Sequence, residues 1–259
     1  MIDTTYETAD RDRQFAHQHS PAQSQAISPA QRGGHTGTQA IPSYMTEVYD
    51  WAYVNPSWVR WLDHDIVVKT LLFCNDRRLM KRYLDHVQSG MHVWQVAHVY
   101  GDLVQQVAQR VGHEGRFDLT DVTPIQIAHA HSKLDALPQA RIIQQDAAVF
   151  QAERPYDLVC SFMLLHEIPE DWKRRVVDNM LAQVSEGGEV IFVDYHRPAV
   201  WHPVRYILKL VNRWLEPFAN ALWEHEIREY ASRAEDYQWT KETLFGGVYQ
   251  MVRVTRKAK

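Results

Sequence analysis

Residues 91–111 read MHVWQVAHVYGDLVQQVAQRV. The apolar run at the start predicts a buried strand, and LVQQVAQRV at the end has the spacing of a helix. The turn between them, QVAHVYGD at 95–102, keeps a single glycine, Gly101. Strand-turn-helix units that bind nucleotides usually carry several glycines at this point, so the turn alone is weak evidence of such a site. The chain beyond the turn decides the fold. RFDLTD, ARIIQQD, YDLVCSF and EVIFVDY read as strands, and PIQIAHAHSKL and DWKRRVVDNMLAQV read as helices between them, the first opening at Thr123 before a proline. Strands alternating with helices of ten or more residues predict a doubly wound, mostly parallel sheet. At the end, YQWTKETLF and VYQMVRVTR flank Gly246-Gly247 and predict an antiparallel hairpin.

In an open α/β sheet, ligands gather at the carboxyl ends of the strands. Those ends are Ala97 to Gly101, Asp121, Asp146, Ser161 to His166 and Asp194 to His196. Asp121 lies 20 residues beyond Gly101, the place for an acid that holds a ribose diol. Asp146, ending the third strand, is placed to accept from an exocyclic adenine amine. A simpler role for Asp121 is a charge favourable to the helix that starts at Thr123-Pro124.

Composition narrows the partners. The chain has 259 residues, 45% of them hydrophobic and 11% aromatic, enough for a full core. A formal charge of -4 carries no basic signature, so nucleic acid is not an expected partner. Cys74 and Cys160 sit among apolar neighbours without metal spacing and are expected to be buried, reduced thiols, which suits the cytoplasm. No apolar run approaches the roughly 20 residues needed to cross a bilayer. Residues 1–40, rich in Gln, Ser, Thr and Pro, are expected to be a disordered tail. Residues 41–90 are aromatic and helical in period, with a break at Asn55-Pro56, and predict a helical cap on a domain spanning 91–259. A helical insertion is expected at about 200–232. Within it, Val204, Ile207, Leu208, Val211 and Leu215 share one helix face while Arg205, Lys209 and Arg213 recur on the other, an arrangement suited to a membrane surface or to ordinary packing on the sheet. Trp201, Trp214, Phe218 and Trp223 nearby, with Tyr53, Trp58 and Trp61 of the cap, suit either a lipid surface or a capped apolar pocket.

From about Met91 onward the chain resembles the class I S-adenosylmethionine-dependent methyltransferases. QVAHVYG stands where they have an acid and three alternating glycines, TDVTP at their second acidic motif, QQDA at their adenine motif, and SEGGEVIFVDY at a late strand. More narrowly, YDWAYVNP, VYGDL, DVTPIQ, LLHEIPED, VDYHRPAVWHPVRY and KETLFGGVYQ resemble the rhodoquinone-biosynthesis family RquA over residues 41–259. The resemblance implies a Rossmann-like fold with seven strands, S-adenosylmethionine as cofactor and Mn2+ as metal. It also implies a ubiquinone-type substrate, on which a ring methoxy group is replaced by an amino group with the cofactor as amino donor. Methyl transfer to a lipophilic ring is the alternative, and an idle fold that only binds is a third reading. A membrane-bound substrate further implies a peripheral place at the inner face of a bacterial membrane; oligomeric state is left open.

Carried over by position, the cofactor residues are Gln95, Ala97, Val99, Tyr100, Gly101, Asp121, Val122, Asp146, Ala147 and Met163. Catalytic candidates are His166, Glu167, Tyr195 and His196, and metal candidates are Asp194, His196 and His202. His225-Glu226 is expected to be a solvated pair. The departures bear on chemistry. Ala97 and Val99 put side chains where glycines would let the cofactor's amino acid end approach the backbone. Gln95 removes a carboxylate, and loss of an opposite charge at about 4–6 Å lowers an amine's pKa by roughly one to three units, making a free amine more accessible near neutral pH.

Overall fold

The computed structural model describes residues 69–257, apart from residue 71 and residues 215–217. The expected tail and most of the expected cap, with Tyr53, Trp58 and Trp61, lie outside the described residues, as do Leu215 and the side chain of Trp214. The described chain begins with helix α1 (Asp76–Leu84) and continues as β1 (His92–Val96), α2 (Leu103–Val111), β2 (Arg116–Asp121), α3 (Pro124–Leu134), β3 (Ala140–Gln144) and β4 (Tyr156–Phe162). After a short 3-10 turn at Leu165–Glu167 come α4 (Glu170–Gln183), β5 (Val184–Tyr195), α5 (Val204–Trp214), α6 (Ala221–Glu224), β6 (Tyr237–Leu244) and β7 (Tyr249–Arg256).

The seven strands form one sheet in the order β3-β2-β1-β4-β5-β7-β6. The first five pair in parallel; β7 enters antiparallel between β5 and β6, with Leu244 opposite Tyr249 across the Gly246-Gly247 turn. This is the predicted sheet and hairpin. Side-chain alternation divides the core. Val93, Leu119, Cys160 and Val193 face α1, α2, α3 and α5, whereas Trp94, Val96, Val159 and Phe192 face α4 and α6. Because β1 is buried on both faces, its whole HVWQV run is shielded from water, and it includes the polar Gln95.

One buried polar network ties four parallel strands together. Asp118 on β2 is fully buried and accepts from the Tyr156 hydroxyl at 2.7 Å, Arg116 Nε at 2.9 Å and Arg141 at 3.2 Å, with His92 Nε2 at 3.4 Å. These partners come from β4, β2, β3 and β1. Burial alone would raise the Asp118 pKa; hydrogen bonds from His92, Tyr156 and Arg116 and the charge of Arg141 override it and hold the carboxyl well below the usual carboxylate range.

Two expectations change. Cys160 is buried, but Cys74 is exposed. It sits with Phe73 in a turn of left-handed residues (φ +58° and +48°) that leads into α1, so its apolar neighbours go inward while its own side chain stays outside. The α5 face also differs. Val204 and Leu208 are buried with Asn212, while Ile207 is 52% exposed and Tyr206 and Leu210 more so. The apolar residues outnumber what one 3.6-residue stripe can bury against the sheet, so they split between core and solvent.

Candidate functional site

The turn after β1 keeps the backbone shape that glycine favours without the glycine. Ala97 has φ +65° and Gly101 φ +84°. The left-handed conformation costs an alanine about 1–2 kcal/mol, so something must hold it. Ala97 N donates to Thr120 O at 2.9 Å, and the next amide, His98 N, donates to Asp121 Oδ2 at 2.9 Å. From the other side Lys133 Nζ donates to Gly101 O at 2.8 Å.

Asp121 is committed on both oxygens. Its Oδ1 accepts from Thr123 N and Thr123 Oγ1, each at 2.9 Å, so it joins the end of β2 to the start of α3. Full burial pushes its pKa up against those hydrogen bonds. The helix-start role considered for Asp121 is therefore present, and the same residue lines a cleft. That cleft runs across the carboxyl ends of β1, β2 and β4. Ala97, His98, Asp121 and Val122 lie on one side, Asp146 and Ala147 on another, and Leu164, Glu167 and Ile168 close it. Asp146 Oδ1 also accepts from Ala148 N at 2.8 Å, which fixes the loop after β3.

Other cofactor candidates stand outside the lining. Gln95 is fully buried, its amide nitrogen reaching Val96 O at 3.3 Å and Ala97 O at 3.4 Å, and its Oε1 finds no partner among the described residues. Val99 packs on the core, Tyr100 OH accepts from Gln126 Nε2 at 2.8 Å, and Met163 (φ +56°) turns the chain at the end of β4 with its amide on Val193 O.

The catalytic candidates divide. Asp194, at the end of β5 and 1% exposed, receives Leu165 N at 2.7 Å and lies 2.8 Å from His166 Nδ1. With the carboxylate on Nδ1, that nitrogen carries the proton, and Nε2 lies 3.7 Å from Glu167 Oε1. Tyr195 packs edge-on to the His166 ring at 4.8 Å and stacks on Tyr249 at 5.4 Å. His196 is elsewhere: its Nδ1 faces Gly247 O at 3.2 Å and its Nε2 faces Lys241 at 3.4 Å, and burial with the Lys241 charge lowers its pKa. His202 is buried against Phe245, beside Gly246, where any side chain would strike the imidazole at 2.5 Å. Among the described residues no three His, Cys, Asp or Glu side chains are grouped so as to hold a metal ion. This corrects the expected set of Asp194, His196 and His202. Asp194 is turned to His166 while the two histidines are held against the β6–β7 turn, and the described residues do not group to fit Mn2+. His225 and Glu226 are solvated, with Glu229 and Lys241 as partners.

Sequence reasoning passed over His98, Gln126 and Lys173. His98 had a signal, a large polar ring in a turn where small residues are usual. Lys173 on α4 had none, since a lysine on a helix is ordinarily solvated; here it is fully buried, donates to Ile168 O at 2.6 Å and Phe218 O at 3.1 Å, and its pKa falls to about 8 through burial.

A parallel sheet wound as 3-2-1-4-5 with an antiparallel β7 beside β5, and a cleft at its carboxyl ends, give a Rossmann-like fold of the methyltransferase type. Residues 93–188 match the model of a methyltransferase domain, which supports the class I S-adenosylmethionine-dependent superfamily. Among curated proteins, the chain is 27% identical over 139 residues to the ubiquinone/menaquinone biosynthesis C-methyltransferase UbiE of Idiomarina loihiensis, covering 51% of this chain and 55% of that one. The chain thus spans about half the length of this curated relative. Two solved structures share the fold. An O-methyltransferase family protein from Burkholderia thailandensis aligns at TM-score 0.55 and 16% identity over 75% of this chain and 61% of that one. The N-methyltransferase NodS from Bradyrhizobium japonicum aligns at TM-score 0.51 and 13% identity over 71% and 97%.

Proposed function

We propose that this chain is an S-adenosylmethionine-dependent methyltransferase acting on a lipophilic, quinone-type ring. The observation that carries the reading is the cleft in which Asp121 and Asp146, ending β2 and β3, meet the turn after β1. Carboxylates at two strand ends, with Val122, Ala147 and Ile168 as apolar walls, suit a flat base and its ribose. The quinone class is supported by the kind of relative matched. Bound there, the cofactor supplies an electrophilic methyl group. The chain's own part is to exclude water and to take a proton. A ring hydroxyl or ring carbon that receives the methyl loses a proton, and His166 Nε2, oriented by Asp194, is the base we assign to it, with Glu167 at the cleft edge.

A second reading, amination of ubiquinone in the manner of the rhodoquinone-biosynthesis family, is favoured by Gln95, which leaves no carboxylate at the end of β1 to keep the cofactor's amine charged. One experiment separates the two. The protein is incubated with S-adenosylmethionine labelled with nitrogen-15 at the amino group and, in separate reactions, with a short-chain ubiquinone or with a short-chain quinol that keeps an unsubstituted ring carbon. A methylated ring with S-adenosylhomocysteine is the expected result, and label in an aminoquinone would replace methyl transfer by the second reading.

The substrate class requires a lipid surface. No helix among the described residues is long and apolar enough to cross a membrane. Contact is assigned to the outer side of α5, where Trp201, Tyr206, Ile207 and Leu210 are exposed and Lys209 and Arg213 flank them. We expect sedimentation with anionic vesicles, weakened by the double change Trp201→Ser and Leu210→Ser; unchanged sedimentation would remove α5 from the contact.

A further inference from the structure

The turn after β1 holds a polar atom that none of the described residues uses. His98 Nε2 is buried and has no hydrogen-bond partner among them, and His98 lines the cleft. Its ring is not loosely placed. Gln126 Nε2 donates to Tyr100 OH at 2.8 Å, so the Gln126 amide oxygen is the atom that faces His98 Nδ1, at 2.9 Å. Nδ1 must then be the protonated nitrogen, and a neutral ring carries its acceptor lone pair on Nε2. Neutrality is secured by the surroundings: burial, with the charges of Lys133 and His129 on α3, keeps the His98 pKa well below the ordinary histidine range. The backbone is fixed as well, through His98 N on Asp121 Oδ2. A buried acceptor without a donor is destabilising, and here Gln126 on the ring and Asp121 on the backbone hold it in place.

The neighbouring carboxylate indicates which donor it would take. A ribose diol brings two hydroxyl donors. Asp121 Oδ1 already accepts two hydrogen bonds and Oδ2 one, so the carboxylate has room for one hydroxyl, not two. We infer that His98 Nε2 takes one hydroxyl of the ribose of a nucleoside ligand while Asp121 takes the other. This rests on the reading of the cleft as the cofactor site, and it divides between a histidine and an aspartate a task that the aspartate alone was expected to perform. It also explains why the turn tolerates a strained Ala97. The left-handed residue is the one that immediately precedes His98 and sets its direction.

Calorimetric titration with S-adenosylhomocysteine and its 2′-deoxy and 3′-deoxy counterparts tests the assignment. The wild-type chain should bind the parent more tightly than either deoxy compound. His98→Phe should weaken the parent by roughly five- to tenfold while leaving the affinity for one deoxy compound unchanged, because the hydroxyl that His98 held is missing from it. His98→Gln, whose amide oxygen reaches close to the position of Nε2, should recover part of the loss. Parent affinity unchanged in His98→Phe, or an equal loss for all three compounds in both variants, would overturn the assignment. Absence of binding of any of the three to the wild-type chain would instead remove the cofactor reading on which it rests.

Discussion

His166→Ala should lower turnover by about 10²- to 10⁴-fold, the range that a positioned base contributes, while leaving nucleoside affinity close to wild type. The geometry behind this is the pairing of a buried imidazole with a buried carboxylate, His166 Nδ1 to Asp194 Oδ1 at 2.8 Å, across the ends of β4 and β5. Asp194 fixes which nitrogen carries the proton and in which direction the other points, so Asp194→Asn should reduce turnover too, by presenting an amide that can stabilise the wrong tautomer. Asp194 has a second duty, accepting Leu165 N at 2.7 Å, and this makes it the worse probe of the two. The decisive contrast lies within the kinetics of His166→Ala. A base lost from the chemical step lowers kcat with KM little changed. If the imidazole only closes the loop after β4, the variant will instead lose stability and cofactor affinity together.

The fold was legible because each strand and helix announces itself in apolar period. β1, β2, β4 and β5 are short runs bounded by turns, and the Gly246-Gly247 pair marks the reversal that turns β7 antiparallel. The places where ligands gather were legible for the same reason, since strand ends are known once the strands are, and Asp121, Asp146 and Glu167 do line one cleft. The sharing of polar atoms could not be read. Asp121 has the position of a ribose acid or a helix-start charge, and only the three donors around it show that it is already clamping two loops. His98 falls between two positions chosen for their missing glycines, and its importance comes from Gln126, 28 residues away in the chain, which orients the ring. His196 and His202 illustrate the opposite case. The family resemblance implied a metal near Asp194, but β5 ends at Tyr195 and His196 beyond it faces Gly247 of the hairpin turn. The α5 stripe fails for a related reason: amphipathic spacing says that a helix has an apolar side, not how much of it the sheet will cover.

Asp118→Ala should cost about 3 kcal/mol of unfolding free energy, the lower end of what breaking a buried, hydrogen-bonded charge pair removes, which for a chain of this size lowers Tm by roughly 6–12 °C. The lower end applies because Arg116 and Arg141 reach water, with side chains 27% and 37% exposed, and can be solvated when their partner goes. The Tyr156 hydroxyl cannot, since Tyr156 is fully buried on β4. The pH dependence follows from the depressed pKa of the carboxyl. A carboxylate held below its unfolded value contributes stability that is fully present above about pH 3.9, the unfolded value, and is lost as pH falls from there towards the folded one. The wild-type chain should therefore lose stability on acidification through this range, and Asp118→Ala should lose less, because the group responsible for part of the slope is gone. Urea unfolding at neutral pH and near pH 3.5 measures both. An unchanged midpoint at neutral pH would mean that the sheet does not depend on this network, and an acid slope equal to that of wild type would move the titration to another carboxylate, with Glu189 between His86 and Arg253 the first to examine.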